Sequence, residues 1–143
     1  MTFAVNVGGL TMTAPASASL GSGNPGTTIS GNLGGNVVVT DNRAALSATW
    51  TAVASSTDFT TGGGTGTETI PASDATYTPG AITTTGTVTA TGTAITLSGT
   101  PQTVVTATGS GNSTASWDPT IAVAVPAAAV GGTYTGTLTQ SVS

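Results

Sequence analysis

Apolar and polar side chains alternate in short runs along this chain. In residues 2–7, Phe3, Val5 and Val7 share one side and Thr2, Ala4 and Asn6 the other, the period of two that marks a half-buried strand. Gly8-Gly9 permits a turn or bulge, and Leu10, Met12 and Ala14 resume the alternation up to Pro15. Residues 16–28, rich in Ser, Gly, Asn and Pro, read as a loop. A short strand is expected over 29–33, a strongly β-forming run over Val37–Asp41, and another over 46–53, where Leu46, Ala48, Trp50 and Ala52 share a side. Residues 61–67, TGGGTGT, read as an exposed, mobile tip. Residues 69–78 hold Ile70 and Tyr77 around a polar turn at 72–74. Three strand-like fragments follow within 83–108 (TGTVTATG, TAITLSG and QTVVTAT), then a Ser/Gly loop at 109–113. Two final strands, 120–125 and 133–142, flank PAAAVGG. No 3.6-residue period persists, and residues 126–130 offer one helical turn at most.

Short strands at spacings of about 8 to 12 residues, broken by Gly and Pro, predict an all-β fold. The expected architecture is a single antiparallel β-sandwich of the Ig-like or Greek-key type over residues 1–143, with Gly/Ser/Thr-rich loops. Composition agrees. Threonine supplies roughly a quarter of the chain and glycine about twice its usual share. Threonine fits a pleated, half-buried surface, and glycine supplies turns.

Charge narrows the chemistry more than it narrows the fold. The chain has no Lys, His or Cys, one cation, Arg43, and five acids: Asp41, Asp58, Glu68, Asp74 and Asp118. Most catalysis needs a proton carrier, an activated nucleophile or a metal site. No catalytic, cofactor-binding or metal-ligating set is assigned, and no enzyme activity is expected. One arginine cannot neutralise a run of phosphates, so nucleic acid is not an expected partner. No apolar run approaches the ~20 residues of a membrane span. A single trypsin-type site suits an extracellular location, with Met1 standing in for a removed leader because no basic and apolar signal pattern precedes the first strand.

Three stretches carry a family resemblance. VVVTDNRAALSATWTA resembles the Asp-x-Arg motif and Trp-x-Leu strand of the WxL domain of Gram-positive surface proteins, with Asp41, Arg43 and Trp50 matching and Ala52 at the Leu position. AVPAAAVGGTYTGTLTQSV resembles that family's Pro/Gly turn and its Tyr-x-x-x-Leu-x-Trp ending. Tyr134 and Leu138 match there, and Gln140 replaces the tryptophan. STDFTTGGG, after the Trp50 strand, has the same general look. The resemblance covers residues 29–60 and 117–143. It implies a secreted domain, similar to those of actinobacterial surface proteins, that attaches non-covalently to peptidoglycan.

Taken without the family, the same residues have structural readings. Arg43 is expected to clamp a loop by pairing with Asp41 or nearby carbonyls. Trp50 and Trp117 are expected as core anchors, with a stacking platform for sugar rings as the alternative. Tyr134 is a candidate corner tyrosine whose hydroxyl bonds backbone. Alternate threonines, Thr83 to Thr91 and Thr133 to Thr139, either fill a solvent face or form an ice-matching array. Finally, Phe3, Val5 and Val7 mark an uncharged strand suited to completing a neighbour's sheet, with residues 1–14 exchanged between subunits. The expected partner is therefore the chain itself, as an oligomer or filament, or a cell-wall polymer.

Overall fold

A computed structural model describes residues 1–143. Its strands, in chain order, are β1 (Leu10–Thr13), β2 (Thr28–Asn32), β3 (Val37–Asp41), β4 (Ala48–Ser56), β5 (Phe59–Thr60), β6 (Thr69–Ile70), β7 (Ala75–Thr78), β8 (Ile82–Gly92), β9 (Ile95–Thr96), β10 (Gln102–Trp117), β11 (Thr120–Ala124) and β12 (Leu138–Val142). Two single turns of 3-10 helix, Gly66–Glu68 and Ala72–Asp74, are the only helical residues. The expected all-β antiparallel sandwich is what forms.

β10 organises the larger sheet. β8 runs along one of its edges from Ile82, opposite Trp117, to Gly92, opposite Val105. On the other edge β4 and β3 lie end to end, β4 along the first half and β3 along the second. β12 pairs outside β4, and β1 outside β3. A smaller sheet in the order β2-β11-β7-β9 packs against this one, and β5-β6 form a short ribbon.

The inner faces are alanine-rich. Alternation along β4 buries Ala48, Trp50, Ala52, Ala54 and Ser56, and β10 contributes Ala107 and Ala115. Such small side chains leave a gap that larger ones must fill. Trp50 and Trp117 fill it, stacked with ring centroids 6.3 Å apart and planes 14° from parallel. That contact requires a bent sheet. Trp50 pairs with Ala107, ten residues before Trp117, and ten straight β-residues would span about 33 Å.

The bend sits where the β8–β10 register slips between Ser110 and Ser113. Gly86 and Gly111 take left-handed φ values of 81° and 67° there. At Gly109 a Cβ would lie 2.2 Å from the Thr87 carbonyl oxygen. Residues 109–113, expected as a loop, are instead the corner of one continuous strand.

Three other expectations change. Residues 133–137 are not strand, and β12 begins only at Leu138. The Gly-rich tip is organised, because the Glu68 carboxylate accepts from the Gly63 N–H at 2.9 Å and the Thr65 hydroxyl at 2.5 Å. Lastly, residues 1–9 lie outside every strand. Gly8 N–H donates to the Asn42 carbonyl at 2.7 Å, and Asn42 N–H donates to the Gly9 carbonyl at 2.8 Å. There the ladder stops, because β3 has ended at Asp41 and the chain turns away. An alternating run without a partner edge stays unpaired.

Two substitutions and one control test this frame by equilibrium denaturation. Trp117→Ala is expected to cost about 3–5 kcal/mol. Gly109→Ala, which overpacks the corner, should cost about 1–3 kcal/mol. Gly99→Ala, with nothing near its Cβ position, should stay within about 0.5 kcal/mol of the parent.

Candidate interaction surfaces

Asp41 and Arg43 form a structural clamp. The Asp41 side chain is 1% exposed. Arg43 wraps back on it from just past the strand end, with Nε donating to Oδ1 at 2.9 Å and Nη2 to Oδ2 at 2.8 Å. Nη2 also donates to the Thr49 carbonyl at 2.8 Å, so one guanidinium ties the end of β3 to the start of β4. The loop between is latched to the corner, as Ala44 N–H donates to Asn112 Oδ1 and Gly111 N–H to the Ala45 carbonyl. These hydrogen bonds from Arg43 hold the Asp41 carboxyl below the ordinary carboxylate range.

Trp50 and Trp117 are 4% and 1% exposed, so neither presents a face to a sugar ring. Beside them lies a contact the sequence reading did not identify. Trp117 Nε1–H donates to the Tyr77 hydroxyl at 2.9 Å, and that hydroxyl donates to Gln140 Oε1 at 2.7 Å. The relay joins β10, β7 and β12, tying the two sheets together. Burial pushes the Tyr77 pKa up to about 12, with the indole donor pulling the other way. A tyrosine alternating with threonines in a short strand, Ala75–Thr78, marks a buried hydroxyl that needs a partner. The sequence does not reveal which partner.

Tyr134 and Leu138 border the other notable region. The Tyr134 hydroxyl lies 2.8 Å from the Val130 carbonyl and 3.2 Å from that of Thr67, fastening the 126–134 segment to the Gly-rich tip. Leu138 packs against the core at the start of β12. Between this segment, the 18–25 loop and β2–β11 opens an uncharged cleft of about 540 Å³. Leu20, Ile29, Phe59 and Val125 line it, and Ile70 and Val123 reach it from the core.

The outer face of the larger sheet carries hydroxyls in register. Thr11, Thr40, Thr114 and Thr85 lie in one row across four strands, and Thr114 and Thr85 hydrogen-bond through their hydroxyls. Thr51, Thr106 and Thr91 form a second row, and Thr49, Thr108 and Thr89 a third. Of the other predicted array, only Thr139 lies in a strand.

The remaining surface is plain. Asp58 Oδ1 accepts from the Ala72 N–H at 2.9 Å, a structural use. No three acidic side chains converge on a common point, and no helix is long and apolar enough to cross a membrane. Phe3, Val5 and Val7 are 91%, 72% and 73% exposed, an apolar stripe on no surface of its own chain. β8, eleven residues long, has one edge unpaired and carries no charge or proline to block it. Compared with known proteins, the chain matches no family model, no curated protein and no solved structure.

Two pH effects follow, each checked by denaturation across a pH series. The depressed Asp41 value means its stabilisation is complete above about pH 4, the unfolded-state value, and is lost as pH falls through the lower folded value. Asp41→Asn should therefore be less stable at neutral pH and lose less on acidification. The raised Tyr77 value works in reverse. Its contribution is complete below about pH 10 and is lost as pH climbs through about 12. Tyr77→Phe should cost about 1–3 kcal/mol at neutral pH, by stranding the Trp117 and Gln140 polar groups, and should flatten the alkaline limb.

Proposed function

We propose that this chain is a non-catalytic structural domain of an extracellular surface that assembles with copies of itself, as a filament or layer, by β-strand addition. The observation that carries the reading is the unpacked stripe of Phe3, Val5 and Val7, spaced at the strand period and lying beyond the point where Gly8 and Gly9 bond to Asn42. An extended apolar segment gains its missing main-chain bonds and its burial together when it joins another sheet. A contact between unlike surfaces propagates when its rotation does not close. Near-absence of charge favours this, since few like charges oppose close stacking of subunits. The single arginine and the absence of lysine leave little for trypsin-like proteases, which supports the extracellular setting.

Two rival readings have their own support. The Asp41–Arg43 clamp and the Tyr134–Leu138 segment underlie the WxL-like resemblance and hence attachment to peptidoglycan. Against it, the two altered signature positions are Ala52, fully buried, and Gln140, engaged by Tyr77. The registered threonine rows support an ice-binding face, although the bend at Gly86 and Gly111 works against the flatness such a face needs.

Electron microscopy of the purified chain discriminates among these. Regular fibres or sheets are expected from the full chain, and only single particles from a variant lacking residues 1–7. Fibres that persist in the shortened variant would rule out strand donation. A strictly monomeric protein that sediments with isolated peptidoglycan would favour wall attachment, and thermal hysteresis in the monomer would favour ice.

A further inference from the structure

Building on the assembly reading, we infer that the acceptor is the uncharged cleft between the 18–25 loop, β2–β11 and the 129–136 segment, and that its occupant is residues 2–7 of a second copy. Three observations place the acceptor there. The first is a gap in the core. Ile70 and Val123, 3% and 7% exposed, belong to the main apolar cluster yet also line the cleft, and around them Leu20, Ile29, Phe59 and Val125 remain partly exposed. An apolar space that opens to solvent and reaches the core is where an inserted side chain removes most surface from water.

The second is unpaired backbone on both walls. The N–H groups of Gly131, Gly132, Thr133 and Tyr134 make no hydrogen bond within the chain. Across the cleft, the 16–23 stretch runs beside β2 without joining it, and its N–H groups make one bond, a 3.5 Å contact from Gly21 to the Ser19 hydroxyl. β2 itself is an edge strand. The chain as a whole makes 66 backbone–backbone hydrogen bonds, where a domain of this length usually makes roughly 100. An added strand supplies the kind of bond these walls lack.

The third is the match of the occupant. Residues 2–7 carry no charge, and neither does any residue lining the cleft. Extended, the six residues measure about 20 Å, with Phe3, Val5 and Val7 on one side at about 6.6 Å intervals. One phenylalanine and two valines suit the apolar floor, and the main chain between them faces the walls. The donor leaves its own body beside Asn42, and no residue of β1 or β3 lines the cleft. Donor and acceptor are thus different surfaces of each copy, the condition for a head-to-tail series.

The chain has no cysteine, so introduced thiols report proximity cleanly. Val5→Cys is mixed with separately purified Val130→Cys, which lines the cleft, or with Thr89→Cys on the β8 edge strand, and each mixture is oxidised mildly. A Val5→Cys–Val130→Cys heterodimer at least tenfold above the Thr89→Cys product is the expected result. Preferential linkage to Thr89→Cys, with fibres still forming, would overturn the cleft as acceptor and leave the assembly reading standing. Absence of both linkage and fibres would overturn the two together. In a single chain carrying Val5→Cys and Val130→Cys, a disulfide closed within the monomer would overturn exchange between copies, whereas an intermolecular ladder supports it. As an independent measure, a peptide of residues 2–9 should raise the Tm of the chain lacking residues 1–7 by several degrees, and its Phe3→Asp form should not. No shift with either peptide would overturn the assignment.

Discussion

The stack of Trp50 on Trp117 is the contact around which this fold closes. Sheets lined with alanine cannot meet without leaving space between them, and this chain has few large residues to place there. Two indoles from opposite halves of one bent sheet occupy that space. Their stacking requires the corner, and the corner requires glycine where the β8 and β10 backbones approach too closely for any Cβ. Tyr77 then closes the arrangement from the facing sheet, accepting from one indole and donating to Gln140 on β12. Core, corner and inter-sheet relay form one dependency.

A second constraint is the scarcity of charge. The only cation is spent on the Asp41–Arg43 clamp, and Asp58 and Glu68 each cap a turn. Little charge remains to protect strand edges or steer a charged ligand. Recognition by such a surface falls to shape, apolar contact and main-chain pairing. The free apolar segment at residues 2–7 and the open cleft are the two places where all three are available.

The sequence made the fold class plain because alternation and Gly/Pro punctuation are local signals. β3, β8 and β11 lie close to where the pattern put them. It misjudged places where tertiary geometry decides. Ser and Gly at 109–113 have loop composition, but their glycines serve a close backbone approach inside a strand. Residues 133–137 alternate well, yet Tyr134 is fastened to carbonyls and Gly136 passes tightly under Phe59, so pairing is limited to an isolated Thr60–Thr135 bridge and no strand extends through them. Arg43 as a clamp and Tyr134 as a backbone-bonding tyrosine were legible from side-chain chemistry. The Tyr77 relay was not, because its members lie 40 and 63 residues away in the sequence. The cleft was equally hidden, since its walls are loops whose composition says nothing of their separation.

Amide hydrogen exchange measured as a function of protein concentration tests the central claim most directly. If residues 2–7 are donated to a neighbour, their amides exchange freely in dilute solution and become protected as copies assemble, together with those of residues 131–134. If residues 2–7 stay unprotected while assemblies form, or are already protected in the dilute monomer, the claim is contradicted.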